Sequence, residues 1–442
     1  MYYTMDKSLA IELIQNFIQK PLPNLIDRDL RTPQLLKQKA NVIVGPRRAG
    51  KTYFLFNIIQ RMNKEKNQML YVNLEDDRLL PLTLTDMDLL LKTYYEIYPE
   101  TKDTSLYLFL DEVQNLQEWE RFVRRILDTE NIFVFLTGSS SKIFTTEIAT
   151  QMRGRSLSYT ILPFSFQEFL RSKDKHPGQY PSTKQQSWTL NLLSEYLNFG
   201  GFPEVTIIES ERTKIKLLRE YVEVMLLRDI IERHGIHNIK VLRMLFSAII
   251  ESFSKPFSIH KFYNSLSSQG IKVSKNTLYD YLTYLEDAYV VLPVKRFSYS
   301  QRKIEQSLPK TYLMDNGYIL QHRFRPTDDT GRLMENVVAV ELFRRKKHDP
   351  RYQVFYWKNP QGVEVDFIVV KNNKSYDLIQ VAYDIDKKDT LDREINALLK
   401  ASDSINIKNL YLISWDTEKQ ISMNEKKIDV IPLWKWLLNE KG

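Results

Sequence analysis

The chain has 442 residues, a formal net charge of +8 and no cysteine. That length suits two or three separate cores, and the missing thiols exclude a disulfide framework, a cysteine-bound zinc and a thiol nucleophile. The charge excess permits an acidic partner such as nucleic acid without demanding one. No apolar run reaches the roughly 18 residues a membrane span needs, and MYYTMDKSLA lacks a basic-then-apolar leader, so a cytoplasmic protein with no membrane partner is expected.

In chain order, Val42 to Val44 read as a short buried strand, GPRRAGKT as a loop over 45–52, and YFLFNIIQRM as a helix. The loop fits G-x-x-x-x-G-K-[ST], a pattern whose backbone N–H groups curl around phosphates. Gly45, Pro46, Arg47, Arg48, Ala49, Gly50, Lys51, Thr52 and Tyr53 are therefore expected to hold a nucleotide, with Lys51 on its outer phosphates and the Thr52 hydroxyl on magnesium. The stretch YVNLEDDRL adds a strand. SLYLFLDEVQ is a buried strand ending in paired acids: Asp111 is assigned to the magnesium shell and Glu112 to polarising water. NIFVFLTGSSS is the next strand. Its end would lie beside the γ-phosphate of a parallel, doubly wound sheet, with Ser139 as the phosphate sensor and Thr137 as the alternative.

GPRRAGKT, LFLDEVQ, FLTGSSS, MRGR at 152–155, LPFSFQEFL at 162–170 and GGFP at 200–203 together resemble the prokaryotic AAA-type ATPases with a C-terminal DUF4143 domain. The resemblance implies an AAA+ core that binds ATP and Mg2+ and hydrolyses ATP. In such ATPases an arginine from a neighbouring subunit often completes the site. Arg153 and Arg155 are the candidates, which implies a homo-oligomer; the other reading is that they cap a helix or pair with local acids.

Further along, LNFGGFPEV reads as a turn between helices, with Gly200 and Gly201 as a hinge, and LLREYVEVMLLRDIIERHG as an amphipathic helix. Leu278, Tyr281, Leu282 and Leu285 share one helix face behind the cap Ser274, and the following VVLPVKRFSYSQRK runs towards a basic tip. The pattern is that of a winged helix-turn-helix. DNA contacts would come from Lys272, Lys275, Asn276 and Tyr279, and from Lys295, Arg296, Arg302 and Lys303 on the wing, although Asp280, Glu286 and Asp287 would oppose phosphate. The tail, beginning with KTYLMDNG, resembles the PD-(D/E)xK restriction-endonuclease-like fold, with Glu335, Glu364 and Asp366 as its acids. The expected acid-x-lysine falls on Gln380, Val381 and Ala382, so a degenerate nuclease site is expected. The run Arg344–Lys347 reads as a solvated helix end.

The expected class is thus α/β: a P-loop AAA+ core over 1–185, a helical lid over 186–238, a winged helix-turn-helix over 239–305, and a nuclease-like α/β domain over 306–442. The client is DNA or an unknown protein.

Overall fold

The computed structural model describes residues 5–138, 148, 150–321, 330–372 and 375–439. They form two compact units, Met1–Leu162 and Pro163–Gly442.

The first unit is built on a five-stranded, all-parallel sheet of β1 (Ala40–Val44), β2 (Met69–Asn73), β3 (Leu106–Asp111), β4 (Ile132–Thr137) and β5 (Ser156–Thr160), in the order β2-β3-β4-β1-β5. Helices Lys51–Met62, Leu84–Ile97 and Trp119–Thr129 alternate with the strands. Both faces are covered, so β1, β3 and β4 read as nearly continuous apolar runs. Ala40, Val42 and Val44 face one core; Ile43 faces the other with Phe54, Phe109 and Phe135. The phosphate-loop strand and the acidic strand are not adjacent: β4 lies between them.

The unit closes at residue 162, short of the boundary expected at 185. The reason is the segment after Pro163. Phe164 N–H donates to the Gly201 carbonyl at 2.7 Å, the Tyr196 hydroxyl donates to the Phe164 carbonyl at 2.8 Å, and Phe166 and Phe169 pack on the Tyr196 ring. These residues belong to the helices that follow: Thr183–Phe199, Pro203–Ile207 and Glu211–Val224, the last continuing as a π-helical stretch, Met225–Glu232.

Gly200 and Gly201 are pinned, not a hinge. Gly201 N–H donates to Asp315 Oδ2 at 2.8 Å, and a Cβ on Gly200, whose φ is +77°, would lie 1.7 Å from Asp315 Oδ1. Glycine is needed here so that the chain can approach a buried carboxylate whose other oxygen takes the Gly317 N–H. Burial raises the Asp315 carboxyl to about 7, against those two hydrogen bonds.

Helices Ile239–Glu251, Ile259–Ser268 and Lys275–Asp287 pack with a small antiparallel sheet of β6 (Lys255–Pro256), β7 (Val291–Val294) and β8 (Lys310–Leu313), in the order β6-β8-β7. Leu278, Tyr281 and Leu285 are buried as their spacing predicts. KTYL, expected to open the tail, instead closes this sheet as β8. Nor is the segment between β7 and β8 a free hairpin. It contains the short helix Gln301–Glu305 and docks on Tyr356, which exchanges backbone hydrogen bonds with Phe297 (2.8 Å) and Lys295 (3.0 Å).

The remaining sheet has six strands, β9 (Tyr352–Lys358), β10 (Glu364–Lys371), β11 (Ser375–Val381), β12 (Asn409–Ser414), β13 (Lys419–Met423) and β14 (Lys426–Pro432), in the order β13-β14-β12-β11-β10-β9. It is mixed: β11, β12 and β14 run parallel and the other pairs antiparallel. Helices Thr330–His348, Lys388–Ile405 and Leu433–Leu438 accompany it. The basic end of the first of these is not simply solvated. Arg344 is buried and donates to the Pro163 carbonyl at 2.9 Å, while Arg345 stacks on Trp436 and donates to the Trp436 carbonyl. Among the described residues no helix is long and apolar enough to cross a membrane.

Candidate functional site

The loop over 45–52 leaves the buried end of β1 and turns into the helix Lys51–Met62. Gly45 must be glycine because β5 runs out against it: a Cβ would lie 1.9 Å from the Ile161 carbonyl oxygen, while Ile161 N–H donates to the Val44 carbonyl at 2.8 Å. Gly50, with φ +91°, makes the left-handed turn into the helix, and Arg48 takes the same conformation at +66°. The helix then starts at Lys51, where its first-turn N–H groups have no intrahelical partner and the helix dipole is positive. Such an end suits an anion.

Lys51 is 8 % exposed, its ammonium 3.3 Å from the Gly45 carbonyl and 3.4 Å from that of Pro46. The side chain folds back over its own loop. Arg47 is half-buried, Arg48 and Tyr53 are exposed, and Pro46 and Ala49 are buried, the Ala49 N–H closing a turn on the Pro46 carbonyl. Arg28, from the irregular segment before β1, has no counterpart in the sequence reading. It is buried and bridges the loop to the end of β5, donating to the Ala49 carbonyl at 3.0 Å and the Leu162 carbonyl at 2.6 Å. A lone arginine in an unpatterned stretch carries no signal of such a role.

Asp111 ends β3 and is the meeting point of the site. Thr137, at the end of β4, donates to its carboxylate, the Tyr71 hydroxyl donates to Oδ2 at 2.9 Å, and the Thr52 hydroxyl, in the loop helix, lies near enough to favour its charged form. Burial pushes the Asp111 carboxyl above the ordinary aspartate value; the three hydroxyls act in the opposite direction, and the charge of Glu112 adds to the rise. Thr137 is shared, since its Oγ1 also accepts the Glu112 N–H at 2.9 Å. That bond holds Glu112 in a left-handed conformation, φ +55°, uncommon for a side chain with a Cβ. The turn carries Glu112 off the end of the sheet, where Gln114 Nε2 donates to its Oε2 at 2.6 Å.

Ser139 lies outside the described residues; among those described, Thr137 holds the end of β4 to both acids. Arg155 pairs with Asp128, and Arg153 is exposed in a tight turn at φ +49°. Tyr71 could not be anticipated, because its partner is on the neighbouring strand. Its ring packs on Phe56 and Phe17, so phenylalanine keeps the packing and removes only the donor. Tyr71→Phe is therefore expected to raise the pH at which Asp111 takes up its proton. The acidic limb of the pH profile for MgATP-induced thermal stabilisation should move to higher pH, and an unmoved limb would show that Tyr71 does not govern this carboxylate.

A second polar cluster lies in the other unit. Glu335, Glu364 and Asp366 do come together, and Lys310 from β8 lies among them. Gln380 is beside them: its Oε1 accepts the Asp366 N–H at 3.0 Å and its Nε2 donates to Glu394 Oε2 at 2.7 Å.

A P-loop at the end of one parallel strand, with a buried carboxylate two strands away, defines a P-loop NTPase of the AAA type, and residues 37–170 match the profile of an AAA domain. Residues 190–327 and 330–436 match two domains of unknown function, DUF8612 and DUF4143. An uncharacterized protein of Methanocaldococcus jannaschii is 37% identical over 442 residues, covering 98% of this chain and 96% of that protein. One of Haemophilus influenzae is 27% identical over 94% of this chain and 99% of its own length. The chain belongs to the family of AAA-domain proteins that carry a C-terminal DUF4143 domain. Among solved structures, the Aeropyrum pernix ORC1 protein in complex with DNA overlaps 71% of this chain and 89% of its own at 12% identity and a TM-score of 0.28. C. elegans PCH-2 overlaps 51% and 62% at 10% identity and a TM-score of 0.24. At those scores neither superposition bears on function.

Proposed function

We propose that the chain is a magnesium-dependent ATP hydrolase that works as a switch or motor for the modules after it. The observation that carries this is the buried carboxylate of Asp111 at the end of β3, held by Thr137 from the intervening strand β4, which lies between it and the strand that feeds the phosphate loop. Residues 45–53 would cradle the phosphates, with Lys51 drawn from its loop carbonyls to the outer phosphate oxygens. Thr52 and Asp111 would hold Mg2+, which when bound neutralises charge on the phosphates. Glu112 would orient and polarise the attacking water. Thr137 ties Glu112 to Asp111 and so would report the state of the phosphates to the end of β4, where Ser139 follows. Arg153 or Arg155 would act in trans in a homo-oligomer; Arg153 is the better placed to reach a neighbour, because Arg155 is engaged by Asp128.

Residues 186–238 would form the helical lid, and the three helices with β6-β8-β7 a winged helix, its domain extended to β8. DNA is the preferred client. Lys272, Lys275, Asn276 and Tyr279 are exposed at the start of the helix Lys275–Asp287, and Arg302 and Lys303 are exposed on the segment between β7 and β8. Steady-state ATP hydrolysis, measured with and without duplex DNA at one stated salt concentration, should require Mg2+ and rise with DNA. Turnover indifferent to DNA would assign the modules to a protein client, and no turnover under either condition would refute the ATPase reading.

A further inference from the structure

The fold resemblance of the tail implies a magnesium ion among its acids, and the residues do not fit one. The place is taken. Lys310 is 2 % exposed, and its ammonium lies 2.9 Å from Glu335 Oε1, 2.8 Å from Glu364 Oε1 and 3.0 Å from Asp366 Oδ1. An ammonium has three N–H donors, and three carboxylate oxygens, one from each acid, receive them.

The acids are engaged further. Tyr312 donates its hydroxyl to the same Glu335 Oε1 at 2.7 Å, while the second oxygens of the other two acids are taken: Val381 N–H donates to Asp366 Oδ2 at 3.1 Å, and Lys358 pairs with Glu364 Oε2 at 2.9 Å. Gln380 turns its amide NH2 to Glu394 and its carbonyl to the Asp366 N–H. Magnesium demands oxygens at about 2.0–2.1 Å in an octahedron and keeps several waters. Lys310 fills that space.

Burial disfavours the Lys310 charge, yet Asp366, Glu335 and Glu364 outweigh it and hold the proton well above the ordinary lysine value. Removing either side of such a cluster leaves buried charge uncompensated.

We propose that Lys310 is the resident cation of this acid cluster, a tethered ammonium standing where a magnesium-dependent nuclease would bind its ion. The cluster fastens β8 to the helix Thr330–His348 and to β10, and it does not cleave phosphodiesters. The lysine missing beside Gln380 has thus not merely been lost: a lysine from another sheet now neutralises the acids.

The test is Mn2+ binding to the full, nucleotide-free chain by electron paramagnetic resonance, with Asp366→Asn as the control that isolates this cluster from the phosphate loop. The parent chain is expected to show no Mn2+ signal that Asp366→Asn removes. Lys310→Met, which keeps the stem and removes the charge, is expected to melt lower in EDTA, to gain a stoichiometric Mn2+ site and to recover its melting temperature with Mn2+. Adding Asp366→Asn to Lys310→Met should abolish that gain. An Asp366-dependent Mn2+ site or Mn2+-dependent plasmid cleavage in the parent chain would overturn the proposal, as would a folded Lys310→Met variant that gains no metal. Should Lys310→Met fail to fold, the parent-chain measurement decides alone. The phosphate loop takes no part, so this result stands apart from the ATPase measurement.

Discussion

Lys51→Ala should lose ATP turnover by more than about 10²-fold, since a single positioned charge on a developing phosphoryl anion contributes roughly 3–4 kcal/mol. It should do so without unfolding the protein. The Lys51 ammonium is buried against its own loop, 3.3 and 3.4 Å from two carbonyls, and a buried charge costs desolvation. Deleting it removes a buried charge and leaves the framework of the loop, Gly45 against Ile161 and Arg28 on the Ala49 carbonyl, in place. The nucleotide-free variant should therefore melt at or slightly above the parental temperature. Added MgATP separates the cases: a ligand at 100 times its dissociation constant stabilises the native state by about 2.7 kcal/mol, a shift of several degrees that the parent should show and Lys51→Ala should not. A variant that melts well below the parent without nucleotide would make Lys51 a structural residue, whatever its activity.

The contrast between Lys51 and Lys310 marks what the sequence could and could not disclose. Lys51 is legible because phosphate recognition needs glycine, lysine and hydroxyl in adjacent places on one loop, so the chemistry is written in consecutive letters. Asp111 and Glu112 are legible for a similar reason: a run of buried apolar residues breaks off at paired acids, which marks the carboxyl end of a strand. Lys310 is 56 positions from Asp366, and neither segment hints at the other. KTYL was recognisable as a strand, but which sheet it joins is decided by pairing with β7 and β6, which no local pattern reports. Gly200 and Gly201 show the same limit. Their presence signalled an unusual backbone, while the reason, the buried carboxylate of Asp315, lies more than a hundred positions away. Arg28 and Tyr71 likewise act on residues of other elements, through hydrogen bonds that leave no periodic trace.

Glu112→Gln should give the opposite phenotype to Lys51→Ala, with ATP bound and turnover reduced by roughly 10²–10⁴-fold, the range that a positioned acid–base group contributes. The geometry allows a clean substitution. What fixes the position of residue 112 is its backbone, through the N–H bond to Thr137 and the left-handed turn after β3, and glutamine keeps both. The side chain meets Gln114 Nε2 through Oε2, a contact that the amide oxygen of glutamine can accept equally well. Only the negative charge and the ability to take a proton are lost. The variant should thus keep the MgATP-induced thermal shift that Lys51→Ala lacks and retain unhydrolysed ATP through gel filtration. Turnover at the parental rate would remove Glu112 from the role of water-positioning group. Loss of both turnover and the thermal shift would mean that Glu112, through its contact with Thr137 and the carboxylate beyond it, is part of the ATP-binding framework and not of the chemical step.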